Sequence, residues 1–207
     1  MRTLVPLAVL LIGIFPGVVR AFAQADFRSP DGRFELVAIP DGREQGHGDL
    51  VRGGLRLVDL RTGRELGAYD PGAEAFEVMW SPGGRMVAIN ADLSHLDGEL
   101  TVWRVGASGW QMIRLPAALC RGAGGTRALS RLIPKAYAER VSSAGDGAVP
   151  IAEKWHGPTD LEASLALDGL EGRKSRHEFL ASFSVVVRFF RMGCEILEEK
   201  RTSFKVL

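Results

Sequence analysis

Beyond an apolar leader, the hydrophobic positions of this chain fall in short runs bounded by turn residues, a spacing that predicts strands. Phe34-Glu35-Leu36-Val37-Ala38-Ile39 follows the turn Ser29-Pro30-Asp31-Gly32-Arg33, and Met86-Val87-Ala88-Ile89 follows Ser81-Pro82-Gly83-Gly84-Arg85. In each turn proline pre-sets the first corner, and glycine takes the positive φ that a β-branched residue resists. The partner strand repeats too. Leu55–Leu60 precedes Arg61-Thr62-Gly63-Arg64, and Leu100–Val105 precedes Gly106-Ala107-Ser108-Gly109. Further strands are expected over Glu65–Tyr69, Ala75–Trp80 and Trp110–Leu115. Each unit reads as three to four antiparallel strands in roughly 45 residues. The two units are expected to be neighbouring sheets, with Val37, Ile39, Leu57 and Leu60 matched by Val87, Ile89, Val102 and Val105.

The rest of the chain does not repeat this pattern. Gly122–Gly125 is a glycine-rich break, after which Thr126 is placed to cap a helix over 126–142. Leu129, Leu132, Ile133, Ala136, Tyr137 and Val141 share one face of it, and Pro134 kinks or restarts it. A short strand is expected at Pro150–Trp155. Leu161, Ala163, Leu165 and Leu167 then alternate with Glu162, Ser164 and Ala166, and Phe179, Ala181, Phe183, Val185, Val187 and Phe189 share one side of a long strand. Cys194–Val206 completes a C-terminal meander, against some helix propensity in Ile196–Lys200. Because an open sheet edge invites pairing, the meander is expected to cover an edge or a face of the repeat region, with Phe183 buried.

The Ser-Pro-x-Gly-Arg turns, the Val-Ala-Ile strands, Leu57-Val58-Asp59-Leu60 and Thr62-Gly63 resemble the WD40-like repeats of TolB-type β-propellers over about residues 27–115. The second unit departs from that pattern, with Gly83 in place of the turn aspartate, Arg104 where the first unit has Asp59, and Ser108-Gly109 in place of Thr62-Gly63. The resemblance implies blade-shaped sheets and binding rather than chemistry. Two units do not close a ring, which takes about four to eight blades. The expected fold is therefore mainly β: two blade-like antiparallel sheets, one helix and the meander, in a sandwich-like or open, partial propeller. A divergent four-bladed ring is the second choice. Residues 24–207 form one β-rich domain, made of the repeats over 27–115, the helix over 126–142 and the meander over 150–207.

The leader changes the picture of compartment. Arg2, the apolar stretch Leu4–Val19 broken by Pro6 and Pro16, and Ala21-Phe22-Ala23 are the three parts of a secretory signal, with cleavage expected after Ala23. The stretch is short for a membrane span, which needs about 20 residues, and no comparable stretch follows. The mature chain is expected in the periplasm or outside the cell, with no transmembrane span after signal cleavage. Lys and Arg total 26 against 25 Asp and Glu. That balance argues against a nucleic-acid partner, which calls for a basic excess, and leaves another envelope or secreted protein as the expected partner. In an oxidising compartment Cys120 and Cys194 are a candidate disulfide. Pairing would close a loop of about 74 residues, nominally worth roughly 4 kcal/mol; the other reading is two separately buried thiols.

Candidate chemistry is sparse. His47, His95, His156 and His177 form no metal-type spacing, and the chain lacks a Gly-x-Ser-x-Gly elbow and a phosphate-cradling loop. No cofactor is expected. One constellation remains: the loop after each Val-Ala-Ile strand carries His-x-Asp, with Asp41, His47 and Asp49 in the first and Asn90, Asp92, His95 and Asp97 in the second. On neighbouring sheets these loops would leave by one edge and bring His47, Asp49, Asp92, His95 and Asp97 toward a metal or polar ligand. Equally, these are ordinary turn-favouring residues. Trp80, Trp103, Trp110 and Trp155 pose the same choice between sheet-to-sheet packing and an exposed platform. The leading expectation is an exported, non-enzymatic binding or structural protein that contacts another protein. The alternative is a metal- or carboxylate-dependent hydrolase of the same compartment.

Overall fold

Three runs of turn-separated strands build three antiparallel sheets in a computed structural model that describes residues 27–40, 53–94, 97–120, 123–141, 149–171, 176–191 and 193–206. The expected signal segment, 1–23, lies outside the described residues. The first sheet holds β1 (Phe34–Pro40), β2 (Gly53–Asp59) and β3 (Arg64–Ala73). The second holds β4 (Ala75–Trp80), β5 (Met86–Ser94), β6 (Asp97–Gly106) and β7 (Gly109–Ile113). Two short helices follow, α1 (Ala123–Ser130) and α2 (Lys135–Val141). The third sheet holds β8 (Val149–Trp155), β9 (Asp160–Glu171), β10 (Arg176–Phe190) and β11 (Gly193–Val206), in that spatial order. The protein is mainly β, as its patterning predicts. No helix of the described residues is long and apolar enough to cross a membrane.

The two Ser-Pro turns are the same object in three dimensions. The amide of Ser29 donates to Phe34 O at 2.8 Å, and that of Ser81 donates to Met86 O at 2.9 Å. Each buried hydroxyl accepts the returning amide: Phe34 N–H on Ser29 Oγ at 2.8 Å and Met86 N–H on Ser81 Oγ at 3.2 Å. Gly32 and Gly84 take φ of 67° and 63°, the left-handed region that favours glycine. The turns also touch, since a Cβ at Gly84 would stand 3.1 Å from the Asp31 carboxyl carbon. The matching connection of the third sheet, His156–Thr159, continues the row: a Cβ at Gly83 would stand 3.8 Å from Pro158. The three sheets therefore present equivalent turns at one end of the stack.

The third sheet is a sequential four-stranded meander, like the second. Trp80 ends β4 and Trp155 ends β8. The sequence does not show this likeness, because the second sheet has Ser81-Pro82-Gly83-Gly84-Arg85 where the third has His156-Gly157-Pro158-Thr159-Asp160. The third sheet thus shares the second sheet's strand order without its turn sequence.

The second sheet is buried on both faces. Val87, Ile89, Trp103 and Val105 pack on Phe34, Leu36, Leu55 and Leu57 of the first sheet. Met86, Ala88, Leu100 and Val102 pack on the third sheet and the helices. The register within the first unit differs from the expected match. The turn places Phe34 opposite Asp59 and Met86 opposite Arg104, so Leu36 and Leu57 correspond to Ala88 and Val102. Leu57 is buried as expected, but Val37, Ile39 and Leu60 are only half-buried. Among the described residues, the first sheet is covered on its Phe34–Leu36 side.

Pro134 restarts the helix rather than kinking it. Thr126 lies inside α1 and is buried, instead of capping the helix. Leu129 and Ile133 reach the core, and Arg131 and Arg201 tie the helical segment to β11 through Glu199 and the Leu132 carbonyl. Ile196–Lys200 is strand. Phe183 is 1% exposed, so the meander covers a face of the repeat region as expected.

Candidate functional site

Alternation along β9 and β10 gives the third sheet two different faces. Leu161, Ala163, Leu165, Phe179, Phe183 and Val187 point into the core. Glu162, Ser164, Leu180, Ser182, Ser184, Val186 and Arg188 take the opposite side. That outer face ends the stack, whereas both faces of the second sheet are covered by neighbouring sheets. Leu180 and Ile151 remain 42% and 39% exposed on it. Two shallow clefts lie there. One, about 410 Å³, is lined by Val149, Ile151, Ala166 and Leu180 with Ser164 and Ser182. The other, about 380 Å³, is polar and lined by His156, Glu162, Ser184, Val186, Glu198 and Lys200.

The polar cleft is held by a short chain of hydrogen bonds. His156 Nε2 meets Glu162 Oε2 at 2.7 Å, and the Ser184 hydroxyl donates to Glu162 Oε1 at 2.9 Å. These two bonds, His156 first, hold the Glu162 carboxyl below the usual range. Next to it, Arg188 grips Asp160 through Nε at 2.9 Å and Nη2 at 2.8 Å. That fork holds Asp160 low as well, with Thr159 adding a bond. The order imidazole–carboxylate–hydroxyl matters chemically. Activating a serine requires its hydroxyl to donate to the base, with the base oriented by a third group. Here the carboxylate is central, with the Ser184 hydroxyl on one oxygen and His156 on the other.

Of the five candidate ligands His47, Asp49, Asp92, His95 and Asp97, only Asp92 has a described side chain. His47, Asp49 and His95 lie outside the described residues, and Asp97 opens β6 with its side chain also outside them. Asn90 and Asp92 sit within strand β5 rather than in a loop, paired with Leu100 and Gly98. Asp92 is exposed. Among the described residues no group of three or more His, Cys, Asp or Glu side chains is placed to hold a metal. The tryptophans pack between sheets: Trp80, Trp103 and Trp155 are buried, and Trp110 stacks on Trp103 with ring centroids 4.5 Å apart. Cys120 and Cys194 are separate thiols.

Sequence reasoning missed His156, Glu162 and Ser184 as a group. The available signal was the alternation Leu161-Glu162-Ala163-Ser164, which puts Glu162 on the face away from the core, and Ser184 on the matching side of its neighbour. Compared with protein-family models and with curated proteins, the chain matches none of either.

Proposed function

We propose that this is an exported, non-enzymatic binding protein that engages another envelope or secreted protein through the outer face of its third sheet. Its three stacked meanders act as blade-like units of the WD40-like kind. One observation carries the reading: among the described residues the outer face of the third sheet is uncovered, with Leu180 and Ile151 exposed in an apolar cleft and a polar cleft on the same face. Contiguous exposed apolar surface rimmed by polar groups marks interaction sites. The fixed His156–Glu162 and Arg188–Asp160 pairs supply a pre-organised polar rim, the anatomy of a protein interface. The leader suits export, and the balanced charge suits a protein partner.

Leu180→Lys and Ile151→Lys test this, because both positions are exposed and a lysine there leaves the core intact. Each variant is expected to unfold at the same urea concentration as the parent and to lose co-purification of its partner from the native envelope fraction. Unchanged co-purification by both variants would place the partner surface elsewhere.

A further inference from the structure

We infer that Cys120 and Cys194 are a disulfide-forming pair which, once oxidised, staples β11 to the segment leaving the second sheet. Both thiols donate to carbonyls of one three-residue stretch. Cys194 Sγ lies 3.3 Å from Arg114 O, and Cys120 Sγ lies 3.5 Å from Pro116 O and 3.7 Å from Leu115 O. The two side chains thus lie against one short segment, near enough for charge on Cys120 to act on Cys194, although they are 74 residues apart in the chain. Each is held by its own frame. Cys194 faces Phe189 in the β10–β11 ladder and packs against the core. Cys120 closes the 3-10 turn Ala117–Leu119 by donating its amide to Ala117 O at 3.0 Å. Helix α1 then presses on it so closely that a Cβ at Gly125 would stand 2.1 Å from Cys120 O. The proximity is thus imposed by the fold and does not depend on a chance loop excursion. Burial pushes the Cys194 thiol up, and the charge of a Cys120 thiolate adds to the rise. Exchange therefore quickens as the pH is raised, since the thiolate is the attacking species.

The oxidant is a small external disulfide such as oxidised glutathione. One protein thiolate attacks its S–S bond, forms a mixed disulfide and releases one small thiol. The second protein thiolate attacks the protein-side sulfur, closes the Cys120–Cys194 bond and releases the other small thiol. Two electrons pass from the cysteines to the oxidant, and the two protons leave with the released thiols.

The test incubates the reduced full chain with oxidised glutathione at neutral and mildly alkaline pH, quenches in acid, alkylates under denaturing conditions and maps the peptides. The expected result is a peptide pair joined through Cys120 and Cys194, no alkylatable thiol, and faster closure at the higher pH. Cys120→Ser and Cys194→Ser should each leave a lasting glutathione adduct on the remaining thiol. Two alkylated thiols, two lasting adducts on the parent, or a bond found only between chains would overturn the inference.

Discussion

The Asn90 side chain forms with Ala152 the two hydrogen bonds that a neighbouring strand would make. Its Oδ1 accepts the Ala152 amide at 2.9 Å, and its Nδ2 donates to the Ala152 carbonyl at 3.3 Å while also reaching Glu77 at 2.9 Å. The edge of β8 is thereby satisfied by a side chain of the second sheet. Ala152 is fully buried, so Asn90→Ala strands a buried donor and acceptor. The expected cost is about 1–3 kcal/mol for each unsatisfied group, read as a lower urea midpoint. A variant as stable as the parent would show that the two sheets are not joined there.

The paired turns predict unequal glycine effects. Gly32→Ala faces open space and meets only the strain of a positive φ, about 1–2 kcal/mol. Gly84→Ala meets the same strain and must also displace the Asp31 carboxylate, 3.1 Å from the new carbon. Equilibrium unfolding should rank Gly84→Ala as the more damaging. Equal losses would mean that the turns of the first two sheets are not in contact.

Phe183 and Leu180 occupy opposite faces of β10, and truncation should separate them. Phe183→Ala removes a ring that is 1% exposed and should cost about 3–5 kcal/mol. Leu180→Ala, at an exposed position, should fall within about 0.5 kcal/mol of the parent. Both are measured by chemical denaturation, and a tolerated Phe183→Ala would detach the meander from the core.

The carboxylates of the third sheet predict an acid-side loss of stability. Arg188 lowers Asp160, and His156 followed by Ser184 lowers Glu162. A carboxyl depressed by folding stabilises above its unfolded pKa, about 3.9–4.3 for these residue types. That contribution fades as the pH falls from this range to the lower folded value, where both states are protonated. Arg188→Gln should flatten the fall in urea midpoint over this acid window, and His156→Ala should raise the Glu162 pKa followed by NMR. An unchanged acid profile in both variants would contradict the assigned partners.

Much of the first two sheets was legible because turn chemistry is local. Ser29 and Ser81, with Gly32 and Gly84, specify their own hydrogen bonds within six residues of chain. The core assignment was less legible. Val37 and Ile39 look like Val87 and Ile89 by identity, yet the first sheet is covered on one side and the second on both. The third sheet has no Ser-Pro turn to read, since His156–Asp160 stands at that connection, although Trp155 ends β8 as Trp80 ends β4. Asn90 looked like a loop ligand, because its partner Ala152 is 62 residues away and no local spacing records that contact. The polar cleft depends on cross-strand register between β9 and β10, which tertiary pairing sets.

The open face of the third sheet is tested most directly by photocrosslinking in the native envelope. A photoreactive residue is placed in turn at Ile151, at Leu180 and at exposed Arg61, which lies in the turn between β2 and β3. The account predicts crosslinks to one and the same protein from positions 151 and 180, none to that protein from 61, and their disappearance from 151 when Leu180→Lys is added. Crosslinks to it from 61 alone, or no crosslinked protein from 151 and 180, would contradict the claim that this face is the docking surface.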